Sequence, residues 1–64
     1  MTSLQQALDF HRTGQLPEAE QAYRAVLTRQ PRQPDALSLL GVVLEALGRP
    51  EEAVKCIRKA VALD

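Results

Sequence analysis

Proline and glycine divide this chain at regular intervals. Gly14 precedes Pro17, Pro31 and Pro34 make a second break, and Gly48 precedes Pro50. Between these marks lie four windows, about 3–13, 17–30, 34–47 and 50–63, each close to the mean helix length of globular proteins. Pro17, Pro34 and Pro50 suit the first turn of a helix, where the missing N–H has no intrahelical partner to lose. Gly14 and Gly48 suit the left-handed residue that closes one. Apolar residues recur every three or four positions: Ala19, Ala22, Tyr23, Val26 and Leu27, then Leu37, Leu40, Val43 (or Leu44) and Leu47, then Ala53, Val54, Ile57, Ala60 and Val61. The first window is weaker, with Leu4, Ala7, Leu8 and Phe10 among polar residues. Ala and Leu supply 19 of the 64 residues, and Phe10 and Tyr23 are the only aromatics. This inventory favours helices over strands, so the expected class is all-α.

Charge follows the helix dipole. Glu18 and Glu20 open the second window and Arg24 and Arg29 come later in it; Glu51 and Glu52 open the fourth, ahead of Lys55, Arg58 and Lys59. Glu20–Arg24 and Glu51–Lys55 are i, i+4 pairs in the favoured order, and these charges are expected on solvated helix faces. Eight basic residues balance eight acidic ones, so no net field steers the chain to nucleic acid or an anionic membrane. A chain this short hides only about 60 % of the surface its unfolded form exposes. One cysteine makes no internal disulfide, and one His with one Cys makes no zinc site. Helix packing, self-association or a longer parent chain must therefore supply the stability. The first six residues lack the basic and apolar segments of a secretory signal. The apolar runs are too short for a membrane span, and the expected compartment is the cytoplasm.

At an offset of 34 residues the chain resembles itself. Gly14 falls on Gly48, Glu18 on Glu52, Ala19 on Ala53 and Arg24 on Arg58. Size classes match too: Ala7 with Gly41, Leu8 with Val42, Phe10 with Leu44, Tyr23 with Ile57, Leu27 with Val61. Small residues at Ala7, Gly41, Ala19, Ala53 and Ala60 permit close approach of neighbouring helices. Phe10, Tyr23, Leu40, Leu44 and Ile57 are expected to fill the spaces between them. The second unit reads Leu37-x2-Leu40-Gly41-x2-Leu44, Gly48, Ala53-x3-Ile57-x2-Ala60; the first has Ala7-x2-Phe10, Gly14, Ala19-x3-Tyr23 and Pro31. This pattern resembles two tetratricopeptide (TPR) repeats spanning the whole chain, about 1–33 and 34–64. Leu37 stands where that family often has Trp. Ser3 and Gln6 hold positions expected to be apolar, so the first turns are expected to fray.

The resemblance implies a single domain of two helix-turn-helix repeats, four antiparallel helices from a right-handed superhelical solenoid. It also implies a protein-interaction scaffold without cofactor or metal, whose first helix in each repeat lines a concave groove for a partner peptide or helix. Carried over position by position, the groove would be lined by Leu4, Gln5, Leu8, His11 and Arg12, and by Asp35, Ser38, Leu39, Val42 and Glu45. The family's clamp for C-terminal carboxylates uses Lys and Asn where this chain has Leu4, Leu8, Ser38 and Val42, so that clamp is not expected. An apolar surface with polar edges suits a helix or apolar segment better. Leu8, Leu39 and Val42 can equally be read as packing residues.

The last window keeps Val54, Ile57, Val61 and Leu63, where the family closes an array with a polar helix. Either further repeats of a longer array cover that end, or a second copy of the chain does, giving a homo-oligomer. A third reading makes this the amino-terminal scaffold of a larger transferase-type protein. No catalytic constellation stands out. His11 and Cys56 lie 45 residues apart with no third group in register, and Cys56 reads as a small packing residue. Glu51 and Glu52 point about 100° apart on a helix, and the glycines lack phosphate-loop spacing. Arg29 and Arg32 flank the central turn without an aromatic platform for bases. The chain is therefore expected to be no enzyme and to bind a protein or peptide, not nucleic acid or membrane.

Overall fold

A computed structural model describes residues 2–63, so Met1 and Asp64, the outermost residues of the two repeats, lie outside the described part. The described residues form four helices: α1 (Leu4–Arg12), α2 (Leu16–Arg29), α3 (Pro34–Ala46) and α4 (Pro50–Leu63). The class is all-α, with one helix in each expected window, and each helix packs on the next in the chain. Pro34 and Pro50 are the first residues of their helices. Pro17 is the second of α2, which begins one residue earlier than the proline suggests.

Both tight turns close in the same way. Gly14 and Gly48 have φ of 78° and 79°, the left-handed conformation that costs a residue with a Cβ. Beyond α1, the Gly14 N–H donates to the His11 carbonyl and the Gln15 N–H to that of Phe10. Beyond α3, Gly48 donates to Glu45 and Arg49 to Leu44, with the same spacing. This paired pattern satisfies carbonyls that the helix end would leave without a donor. It recurs at the 34-residue offset and gives that offset a structural meaning.

The start of α1 departs from expectation. The Ser3 hydroxyl accepts from the Gln6 N–H at 3.2 Å, and the Gln6 side-chain oxygen accepts from the Ser3 N–H at 2.9 Å. The two polar residues thus form a capping box, which secures the turn that an apolar pattern alone reads as frayed. The Arg29 guanidinium, at the end of α2, donates to the Thr2 carbonyl and fastens the same end of the molecule.

One buried cluster draws on all four helices: Ala7 from α1, Ala19, Ala22 and Tyr23 from α2, Leu40, Val43 and Leu44 from α3, and Ala53 from α4. The small members sit where backbones meet. At Gly41 a methyl group would lie 2.8 Å from Ile57 Cγ1 and 3.3 Å from the Ala53 carbonyl oxygen. Ile57 is therefore not the interior filler that its pairing with Tyr23 suggests. Its side chain lies over Gly41 and is 43 % exposed on the other side, whereas Tyr23 is fully buried. Phe10 is half-buried against the cluster.

The contact at Gly41 yields a prediction opposite in sign to helix propensity. Gly→Ala within a helix is ordinarily favourable by about 1 kcal/mol. Here Cγ1 of Ile57 is held by the stiff χ1 of a β-branched residue, and overpacking of this kind costs about 1–3 kcal/mol. Gly41→Ala should therefore lower the thermal midpoint by several degrees, and adding Ile57→Ala should restore part of the loss. A single variant that melts at or above the wild type would contradict the close approach of α3 and α4.

Candidate functional site

The expected groove residues fall on α1 and α3. Leu4 and Leu39 are half-buried and pack against the central cluster, so each is partly a core residue. Leu8 and His11 are half-buried as well, while Gln5, Arg12, Asp35, Ser38 and Glu45 are exposed. Val42 is 50 % exposed and is the most open large apolar side chain of α3. Several polar members are engaged locally: the Gln5 amide and the Arg12 guanidinium both donate to the Asp9 carboxylate, at 3.2 and 2.6 Å. His11 Nδ1 lies 3.1 Å from the Tyr23 hydroxyl, with the rings edge to face at 6.0 Å. This bond satisfies the one polar atom of a fully buried tyrosine, and burial raises the Tyr23 pKa above its ordinary value. His11 is thus the partner of a core hydroxyl, placed at the edge of the α1 face.

The expected self-association residues divide. Val54, Ile57 and Val61 are 46, 43 and 69 % exposed, and their i, i+3, i+7 spacing sets them on one stripe of α4. Leu63 lies off that stripe, half-buried, and lines a cleft toward Pro31 and Leu37. The groove and the stripe are not separate territories. Asp35 and Ser38 of α3 line one depression together with Val61 of α4. Cys56, half-buried, packs against the core cluster. Among the described residues, no group of three His, Cys, Asp or Glu side chains could hold a metal ion, and no helix is long and apolar enough to cross a membrane.

Residues 4–64 match the protein family described as Tetratricopeptide repeat. The chain belongs to the TPR family. It is also 54 % identical over 43 residues to the Cellulose synthase operon protein C of Pseudomonas fluorescens (strain SBW25). That alignment covers 67 % of this chain and 3 % of the relative's length. No solved structure matches. TPR repeats are non-catalytic helical scaffolds that mediate protein–protein interaction.

Charges expected on a solvated face tie the TPR pair together instead. Glu20 is only 7 % exposed. It accepts from Arg24 one turn along α2 at 3.0 Å, and from Arg49 at the entry to α4 at 2.8 and 3.0 Å. Arg49 also holds Glu52 at 2.6 and 2.8 Å, and Arg24 reaches Glu52 at 3.5 Å. The four groups form a closed ring of alternating charge between the repeats, and a buried carboxylate needs such partners. The signal was present: Leu16, Glu20, Tyr23 and Leu27 share one helical stripe, which places Glu20 facing inward. Glu51 and Lys55, by contrast, do not pair with each other.

Hydrogen bonding to Arg49 holds the Glu52 carboxyl below the usual glutamate range. A depressed folded-state pKa stabilises the fold above the unfolded value of about 4.3 and ceases to do so as pH falls through the folded pKa. The thermal midpoint should therefore fall as pH drops from about 5 toward the folded pKa. Glu52→Gln should flatten that slope. An unchanged slope in the variant would remove Glu52 from the account of acid sensitivity.

Proposed function

We propose that the chain is a partner-binding module whose α1/α3 face receives a helix or apolar segment of another protein. The observation that carries this reading is the half-exposed Val42 beside half-buried Leu39, rimmed by exposed Ser38 and Glu45. Leu4 and Leu8 extend the same apolar character onto α1. An amphipathic helix recognises such a surface by laying its apolar stripe against it. The polar rim then fixes orientation, and water leaves only the central strip. Lys and Asn are absent from the positions that would grip a terminal carboxylate, which favours an internal segment over a free C-terminus.

A second reading rests on a separate observation, the exposed stripe of Val54, Ile57 and Val61. This stripe supports self-association of the chain where no other repeat covers α4. A contact between unlike ends would propagate, and a symmetric one would stop at a dimer. The third reading, a transferase-type domain elsewhere in the same polypeptide, concerns residues outside this sequence.

The two surface readings separate by mutation. Val42→Glu, at a half-exposed position, should abolish capture of a partner recovered by cross-linking, with helicity unchanged, and capture that persists in the variant puts the partner elsewhere. Light scattering across a hundredfold range of concentration should show a mass above the 7.1 kDa of the monomer if α4 self-associates. Val54→Glu with Val61→Glu should then return it to the monomer. A monomer at every concentration removes the self-association reading and leaves the groove.

A further inference from the structure

A second surface lies away from the α1/α3 face and shares no residue with it. Two adjoining pockets, of about 410 and 240 Å³, run between the end of α2, the turn into α3, and α4; Pro31, Leu37 and Lys59 line both. On α3, Leu37 and Leu40 point into this cleft, on the opposite side of the helix from Leu39 and Val42. Leu27, Leu37 and Leu40 give it an aliphatic floor.

Its charge is one-sided in a chain whose net charge is zero. The charged side chains that line it are Arg24, Arg32 and Lys59, all cationic. Arg24 is already matched by Glu20 and Glu52. Among the described residues, neither Arg32 nor Lys59 forms an ion pair. Two cations thus stand over an aliphatic floor, and no carboxylate among the described residues lines the cleft.

We propose that this cleft is a second docking site, which takes an acidic, aliphatic segment of a partner protein. Leu or Ile side chains of the segment occupy the floor, and its Asp or Glu carboxylates meet Arg32 and Lys59. Charge complementarity selects this occupant, because an acidic segment finds both desolvation of its apolar side chains and two cations that no described residue pairs. A nucleic acid would find the same cations but no aromatic ring on which a base could stack. The proposal stands independently of the α1/α3 groove, because the two surfaces have no side chain in common.

Cys56, the only cysteine, lines the cleft and reports its occupancy. The probe is a fluorescein-labelled decapeptide of alternating Glu and Leu, with a Lys-and-Leu counterpart, titrated by anisotropy while iodoacetamide alkylation of Cys56 is timed by mass spectrometry. The acidic peptide is expected to bind and the basic one not. Binding should slow alkylation several-fold, and Arg32→Glu with Lys59→Glu should weaken it at least tenfold with helicity retained. Both substituted residues lie on the exposed surface, so the fold does not depend on them. Binding that leaves Cys56 alkylation unchanged overturns the proposal, as does binding unchanged in the double variant. So does loss of binding in Val42→Glu with retention in the double variant, which assigns the peptide to the groove. Displacement of the peptide by oligothymidylate at equal concentration assigns the cations to nucleic acid. A cleft that excludes the peptide because the protein has dimerised through it assigns the occupant to a second copy.

Discussion

Tyr23, Leu40 and Leu44 belong to one buried cluster that crosses the boundary between the repeats, and neither repeat has a core of this size without it. A helix pair has one apolar face too many for its own interior, and a chain of 64 residues has little surface to spare. Packing α2 against α3 resolves both constraints at once. Within the second repeat Gly41 decides how closely α3 and α4 approach, and Ala7, Ala19 and Ala53 are buried small residues of the same core. The ring of Glu20, Arg24, Arg49 and Glu52 adds a polar fastening at the same boundary. Its single buried carboxylate is matched by two guanidinium groups, so that none of its oxygens is stranded.

The faces left open follow from that packing. Once α2 and α3 have met, Val42 of α3 stays half-exposed, and so do Val54, Ile57 and Val61 on one stripe of α4. The aliphatic cleft beside Arg32 and Lys59 forms on yet another side, where α4 passes the turn that follows α2. TPR repeats mediate protein–protein interaction, and the proposed sites rest on such surfaces. The ring nitrogen of His11 is committed to the Tyr23 hydroxyl, which makes this residue a structural partner at the rim of the proposed groove.

Much of this architecture was legible in the chain. Gly14, Gly48 and the prolines at 17, 34 and 50 fixed the number of helices and their ends within a residue or two, because positive φ and a missing N–H leave few alternatives. The 34-residue match of small to small and large to large identified the repeat. What escaped was polar chemistry that imitates its opposite. Ser3 and Gln6 read as faults in an apolar pattern, yet together they cap α1. Glu20 read as a solvated charge, although its stripe points inward and its partner Arg49 lies 29 residues away, beyond any local rule. Ile57 read as core because of its size and its pairing with Tyr23. The glycine beneath it admits only one side of the residue, and the other remains in water. Which partner occupies each face depends on complementarity with a molecule outside the chain, and no periodicity within it encodes that.

The two repeats share one core and so should unfold as one unit. Tyr23 is the only tyrosine and there is no tryptophan, so its emission reports the repeat boundary while far-ultraviolet dichroism reports all four helices. In a urea titration the two signals should give coincident transitions with one midpoint, as a single cooperative unit requires. If the Tyr23 signal is lost at lower urea while half of the helicity persists, the repeats unfold separately, and the shared core is not what holds the structure together.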